Sequence, residues 1–204
     1  MPANRNHAFD LLCGICIIRM VMNHAISMCG LRNYNFGGFC WYDLMGWTFF
    51  FMSFFFFKAG YFNKTTAAHS GRYVVDRTKR LLVPYISWSI IGFIVFFGMI
   101  AMYPHIYNAD TMPSFHWSHL YETSHSYGNG PLWFLMSFYV AYICIHFIEK
   151  IPYLHWFVLV FPLVSYWLYT IDSPLWLSLD NVFMGIFFFY FVIFCQFEFA
   201  DISD

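Results

Sequence analysis

Two ionisable side chains, Arg19 and His24, sit inside an apolar run from Ala8 to about Gly30 (AFDLLCGICIIRMVMNHAISMCG). A run of that length crosses a bilayer as a helix, which takes about 20 residues. Charge is costly there, about 2.5–3.5 kcal/mol per residue at the centre on insertion scales, so an ionisable group in such a place is a functional candidate. Imidazole titrates near neutrality and suits a group that accepts a proton and returns it. His24 is therefore a candidate general base. The structural alternative carries equal weight: a buried histidine hydrogen-bonded to a neighbouring helix. At 100° per residue, Cys13 and His24 fall within about 20° of each other, with Asp10 near the same stripe. Arg19 lies about 140° from His24 and instead faces Asn23 at i, i+4. Arg19 reads as an anchor between helices as readily as a catalytic group. The few acidic residues near apolar runs (Asp10, Glu149, Glu198) do not single out its partner.

A second cluster is basic: RYVVDRTKRLLVPY, from Arg72 to Tyr85. Arg77 and Arg80 are three residues apart, which on an α-helix places both guanidinium groups on one face. Two such forks at a cytosolic surface suit bidentate capture of phosphate. Lys79 lies between them. By position alone, a simple topology signal accounts for these charges as well. Lys58, near the end of an apolar run, can snorkel its amine to the surface, where a polyanion would be a natural partner. The stretch HWSHLYETSH holds His116, His119, Glu122 and His125 at threefold spacing, which drifts around an α-helix and is a weak metal motif. A polar lining of an outward mouth explains it better, and no metal is expected. Cys13-x-x-Cys16 has redox spacing but lies in a membrane helix and not beside a βαβ pattern, so packing is its expected role.

The elements that must position these groups follow from composition. The 204 residues are 60% hydrophobic and only 10% charged, against about 25% charged in soluble domains. The chain is therefore an integral membrane protein. Its net charge of −1 implies no nucleic-acid partner. The expected fold is all-α, a polytopic membrane helix bundle of about six transmembrane helices. The spans are expected at about 8–30, 44–62, 81–103, 131–149, 153–170 and 181–199. Basic residues concentrate in the 63–80 connection (Lys64, Arg72, Arg77, Lys79, Arg80), while the 104–130 and 171–180 loops have none. The positive-inside rule then makes the N-terminus and the 63–80 connection cytoplasmic. His24 falls in the outer half of its helix and Arg77 at the inner surface.

Taken together, FDLLCGICIIRMVMNH (Phe9–His24), FFFFKAGYF (Phe54–Phe62), Arg77-x-x-Arg80 with LLVPY after it, and GPLWFLMSFYVAYI (Gly130–Ile143) resemble acyltransferase family 3, the integral-membrane O-acyltransferases. The first helix of that family runs from an aspartate to a histidine at this spacing. Its second helix ends in a Ser-Gly-Tyr-Phe-like turn, here Ala59-Gly60-Tyr61-Phe62, and a cytoplasmic Arg-x-x-Arg element follows. The resemblance implies transfer of an acyl group, usually acetyl, from cytosolic acyl-CoA as co-substrate to a hydroxyl of a carbohydrate or glycolipid. On that reading His24 matches the catalytic histidine, acting as general base or as covalent acyl carrier. Arg77 and Arg80 match the CoA-phosphate element, with Lys79 and Lys58 as further cations. The expected location is the plasma (inner) membrane of a bacterium, and a homo-oligomer stays open.

The chain departs from the family pattern in two ways. The arginine that the family carries eleven residues before its histidine is Cys13 here. Family members usually have roughly ten spans of bilayer-crossing length, so this chain of six is expected to be one acyltransferase-like domain truncated at its C-terminus. The competing readings are a transporter or flippase, with Arg19 and His24 lining a path, and an inactive remnant. A transporter lacks support in any pair of Gly/Pro-broken spans at related positions.

Overall fold

The computed structural model of the protein describes residues 7–31, 35–40, 51–63, 71–104, 130–151, 153–171 and 179–201. Among the described residues six helices follow one another: α1 (His7–Met28), α2 (Phe51–Tyr61), α3 (Gly71–Met102), α4 (Gly130–Ile148), α5 (Leu154–Thr170) and α6 (Leu179–Asp201). Between α1 and α2 lies a small antiparallel hairpin, β1 (Asn35–Phe36) and β2 (Phe39–Cys40), which an all-helical reading does not anticipate. Its turn residues Gly37 and Gly38 have φ of +61° and +102°, open to glycine without steric cost. Among the described residues, α1, α3 and α4 are long and apolar enough to cross a membrane, and α5 and α6 are shorter apolar helices.

The third helix starts ten residues before the expected span. It is one unbroken helix from Gly71, with a π-helical turn over Thr78–Leu82. Pro84 explains the turn. A proline inside a helix lacks the N–H for an i−4 bond and its ring crowds that carbonyl. The backbone widens just ahead of it, and the Val83 N–H bonds back to the Thr78 carbonyl. Helix α5 solves the same problem in the opposite sense, with a tighter 3-10 turn over Val158–Val160 leading into Pro162. A membrane helix tolerates proline when such local adjustments satisfy the freed backbone groups.

The core lies among α2, α4 and α6. Phe56, Ala141, Ile145, Val182, Ile186 and Phe189 are buried there, and Val158 of α5 closes one side. Lipid tails are as apolar as these side chains, so helices in a membrane associate through close packing of small residues. Gly60 and Gly185 supply that contact. A Cβ on Gly60 would run into the Phe189 carbonyl, and one on Gly185 would lie 2.6–2.8 Å from the Phe56 ring. The outer faces are apolar as well: Leu11, Ile18 and Val21 of α1, Ile94 of α3, and Leu163 and Trp167 of α5 are exposed. They form the surface that a bilayer would solvate.

Packing also sets direction. Helix α1 runs against α2, with Asp10 and Cys13 beside Lys58 and Arg19 beside Phe51. Helices α2 and α4 run the same way, since Phe56 meets Phe138 at 4.7 Å and Asn63 reaches Glu149. Helix α6 runs with α2, Gly185 against Phe56 and Gly60 against Phe189. Helix α3 runs against α4, with Tyr73 on His146 and Thr78 on Tyr139. The start of α1 and α3 and the end of α2, α4 and α6 therefore share one end of the bundle. That end holds Lys58, Arg77, Lys79 and Arg80.

Candidate active site

Arg77 and Arg80 differ in burial. Arg77 is half-buried and its guanidinium lies 4.0 Å over the Tyr142 ring and 5.0 Å from the Tyr73 ring, whereas Lys79 and Arg80 are exposed. A π-helical turn follows Arg77, and its wider winding advances the next three residues through a different angle than an α-turn does. Arg77 is thus held between helices by two aromatic faces, an arrangement worth about 2 kcal/mol or more when desolvated. Thr78 locks the same turn. Its Oγ1 donates to the Val74 carbonyl at 2.9 Å and lies 3.2 Å from the Tyr139 hydroxyl of α4. The cluster is built into α3 and not carried on the expected 63–80 loop. Lys64 and the rest of 64–70 lie outside the described residues.

Lys58 is also engaged differently from a snorkelling surface amine. Its Nζ donates to Cys13 Sγ at 3.1 Å and sits 3.8 Å from Asp10 Oδ1. Phe9 closes the adjoining surface against Tyr61 (4.7 Å) and Phe62 (5.4 Å). Lys58 therefore ties α1 to α2 at the shared end. Cys13, read from sequence as packing, accepts this bond, while Cys16 one turn on is buried. Arg19 takes an aromatic partner, with its guanidinium carbon 3.8 Å above the Phe51 ring.

His24 is half-buried on α1, five residues beyond Arg19. Its distance from the basic end follows from the helix register. Tyr142, and with it Arg77, stands at about the height of Lys58, which contacts Asp10 and Cys13. His24 is eleven residues past Cys13 and fourteen past Asp10, about 16–21 Å along the helix axis. The two candidate groups are thus separated by half a bundle. His116, His119, Glu122 and His125 lie outside the described residues.

Sequence reasoning missed a polar stripe on α4. Tyr139, Tyr142, His146 and Glu149 recur at spacings of three, four and three in an otherwise apolar span, the period of one helix face. That signal was present in the sequence. Tyr73 of α3 faces it, with its ring stacked on His146 at 5.9 Å and 15° between planes. Asn63 Nδ2 at the end of α2 donates to Glu149 Oε1 at 3.4 Å.

A family model for the acyltransferase domain matches residues 6–197. The chain belongs to acyltransferase family 3. No curated protein and no solved structure matches it. The match runs from the start of α1 into α6, and the apolar helices make this acyltransferase-family protein a membrane protein. Membership also sharpens the meaning of Lys58. Where the acyltransferase family carries an arginine on its first helix, this chain has Cys13, and an ammonium from the second helix stands against it. Replacing Lys58 with methionine is expected to lower stability by about 1 kcal/mol, between the values for exposed and buried pairs. Asp10→Asn in that background should recover part of the loss, because it removes the carboxylate left without its ammonium. Thermal unfolding of the detergent-purified single and double variants measures both.

Proposed function

We propose that the protein transfers an acyl group, acetyl in the simplest case, from cytosolic acyl-CoA to a carbohydrate or glycolipid hydroxyl, working in the plasma membrane of a bacterium with its N-terminus on the cytosolic side. The observation that carries this reading is the family match across residues 6–197. It is supported by a half-buried imidazole on a membrane helix, at the far side of the bundle from four basic side chains. Arg77, Lys79 and Arg80, with Lys58 nearby, form the cationic end suited to the phosphates of the donor. The long thioester arm then spans toward His24. There the imidazole takes the proton of the acceptor hydroxyl, and the oxygen attacks the thioester carbonyl. The C–S bond breaks, the ester is released, and the CoA thiolate recovers the proton. The covalent variant, with the acyl group resting on the ring nitrogen, uses the same placement.

The test is direct. Membranes or detergent-purified protein are incubated with acetyl-CoA radiolabelled in the acetyl group and an envelope-glycan extract, and label in the glycan is followed. Transfer above that of empty membranes is expected; free label only, or none, would count against the reading. The basic end has its own signature. Arg80→Gln should raise KM for acetyl-CoA about tenfold with kcat unchanged, the loss of a charge-assisted contact. Arg77→Gln should raise KM similarly and also lower the unfolding midpoint, because Arg77 alone of the two is packed on Tyr142. A change in membrane orientation with unaltered KM would assign both arginines to topology.

A further inference from the structure

Cys13 and Lys58 bring a thiol and an amine together at the basic end of the bundle. Lys58 Nζ lies 3.1 Å from Cys13 Sγ and 3.8 Å from Asp10 Oδ1. Asp10 and Cys13 share a face of α1 at i, i+3, and Lys58 reaches across from α2. An ion pair with Asp10 is enough to tie the two helices. It does not account for the sulfur, a weak acceptor, being the nearer partner. None of the three groups is shut off from solvent. The Lys58 side chain is 28% exposed and that of Asp10 36%, and Cys13 is half-buried. At the adjoining Gly14 a Cβ would meet nothing within 4 Å among the described residues, so the helix surface beside the sulfur is open. Cys16, one turn further on, is buried. Of these two thiols, Cys13 is the one that a molecule arriving at the basic end can meet.

We propose that Cys13 and Lys58 form a self-acylation site, in which Cys13 takes an acyl group from a thioester and passes it to the Lys58 amine. Cysteine is intrinsically very nucleophilic. Its Sγ attacks the thioester carbonyl carbon, the bond to the donor sulfur breaks, and the Cys13 proton leaves with the donor thiol. The acyl group then rests on Sγ as a thioester. Lys58 Nζ, after releasing one proton to water, attacks the same carbonyl carbon. A C–N bond forms, the C–S bond breaks, and a second amine proton returns to the Cys13 sulfur. The carbonyl carbon is one bond from Sγ, so an amine 3.1 Å from Sγ already stands at attacking distance. Groups held about 3–3.5 Å apart react with effective molarities that reach about 10⁵–10⁸ M. The product is a neutral amide, which takes this ammonium from Asp10 and one cation from the basic end. The proposal takes its donor from the acyl-CoA reading, while its chemistry needs only a thioester.

The detergent-purified protein is incubated with acetyl-CoA labelled in the acetyl group, digested, and read by mass spectrometry. Lys79, exposed at the same end, is the internal reference. Lys58 should carry about tenfold more acetyl than Lys79, or above. Cys13→Ser should bring Lys58 down to the level of Lys79. Alkylating the wild-type thiol beforehand should do the same without any substitution. Lys58→Arg keeps a cation that cannot be acylated in this way, so the acetyl group should stay on Cys13, where neutral hydroxylamine removes it. Equal labelling of Lys58 and Lys79 in the wild type would overturn the proposal. So would Lys58 labelling that survives both Cys13→Ser and prior alkylation. S-acetyl-N-acetylcysteamine, a thioester without phosphates, separates the two levels of argument. Cys13-dependent acetyl on Lys58 from this probe, in a protein that neither binds CoA nor labels glycan, upholds the self-acylation site and overturns the acyl-CoA reading. Glycan labelling by a protein whose Lys58 stays unmodified with both donors overturns the self-acylation site alone.

Discussion

His24→Ala is expected to lower kcat for acyl transfer by about 10²–10⁴-fold, the contribution of a positioned general base, with KM for acyl-CoA nearly unchanged. The separation between the two ends of the bundle makes that combination distinctive. His24 stands about 16–21 Å along the axis from the height of Arg77, so its loss should not disturb donor capture. Its side chain is only half-buried, so truncation empties little of the interior. Folding should therefore survive, and the unfolding midpoint checks this. Added imidazole should restore part of the rate in the alanine variant if His24 moves a proton. A fall in kcat without such rescue points to the covalent carrier. Unchanged glycan acylation by a properly inserted His24→Ala protein would remove His24 from the chemistry.

The largest structural effect is expected at Gly60. Alanine there would press its Cβ into the Phe189 carbonyl, 2.9 Å from the Phe189 carbonyl carbon and 2.6 Å from Val192 Cγ1. Two of those three atoms are backbone and cannot rotate away, so α2 and α6 must separate. Overpacking of this kind typically costs about 1–3 kcal/mol and occasionally more. Helices in lipid have no hydrophobic drive to restore the contact, so Gly60→Ala should sit at or above the top of that range. Gly185→Ala meets only the Phe56 ring, a side chain that can shift, and should cost less. Gly14→Ala has nothing within 4 Å among the described residues and should be neutral or stabilising, by up to about 1 kcal/mol from helix propensity. Denaturant titration of the three purified variants gives the ranking. An unaltered midpoint for Gly60→Ala would show that the α2–α6 contact does not hold the bundle together.

Composition and periodicity were enough to read the helices and the groups able to do chemistry. Apolar runs of membrane length cannot be anything but helices or barrel strands in lipid, because the backbone must satisfy itself. Six runs gave six helices in the expected order. His24 and Arg19 stood out because an ionisable side chain in such a run is expensive. The start of α3 was misplaced because a charge-rich segment reads as a loop until a tertiary partner is known. Tyr142 and Tyr139 on α4 are that partner: they cover Arg77 and Thr78 and let the helix begin at Gly71.

The sequence by itself determined that this is a helical membrane protein with a histidine in its first helix and a basic segment before its third. The physical reason is that cost of burial and hydrophobic period act locally along the chain. Only the tertiary structure decided where each cation points. Lys58 turned to Asp10 and Cys13, Arg19 to Phe51, and Arg77 inward while Arg80 stayed out. Those choices depend on which helices are neighbours and on the wide turn ahead of Pro84. Close contact between glycines and facing helices sets the first, and no spacing within one segment encodes it.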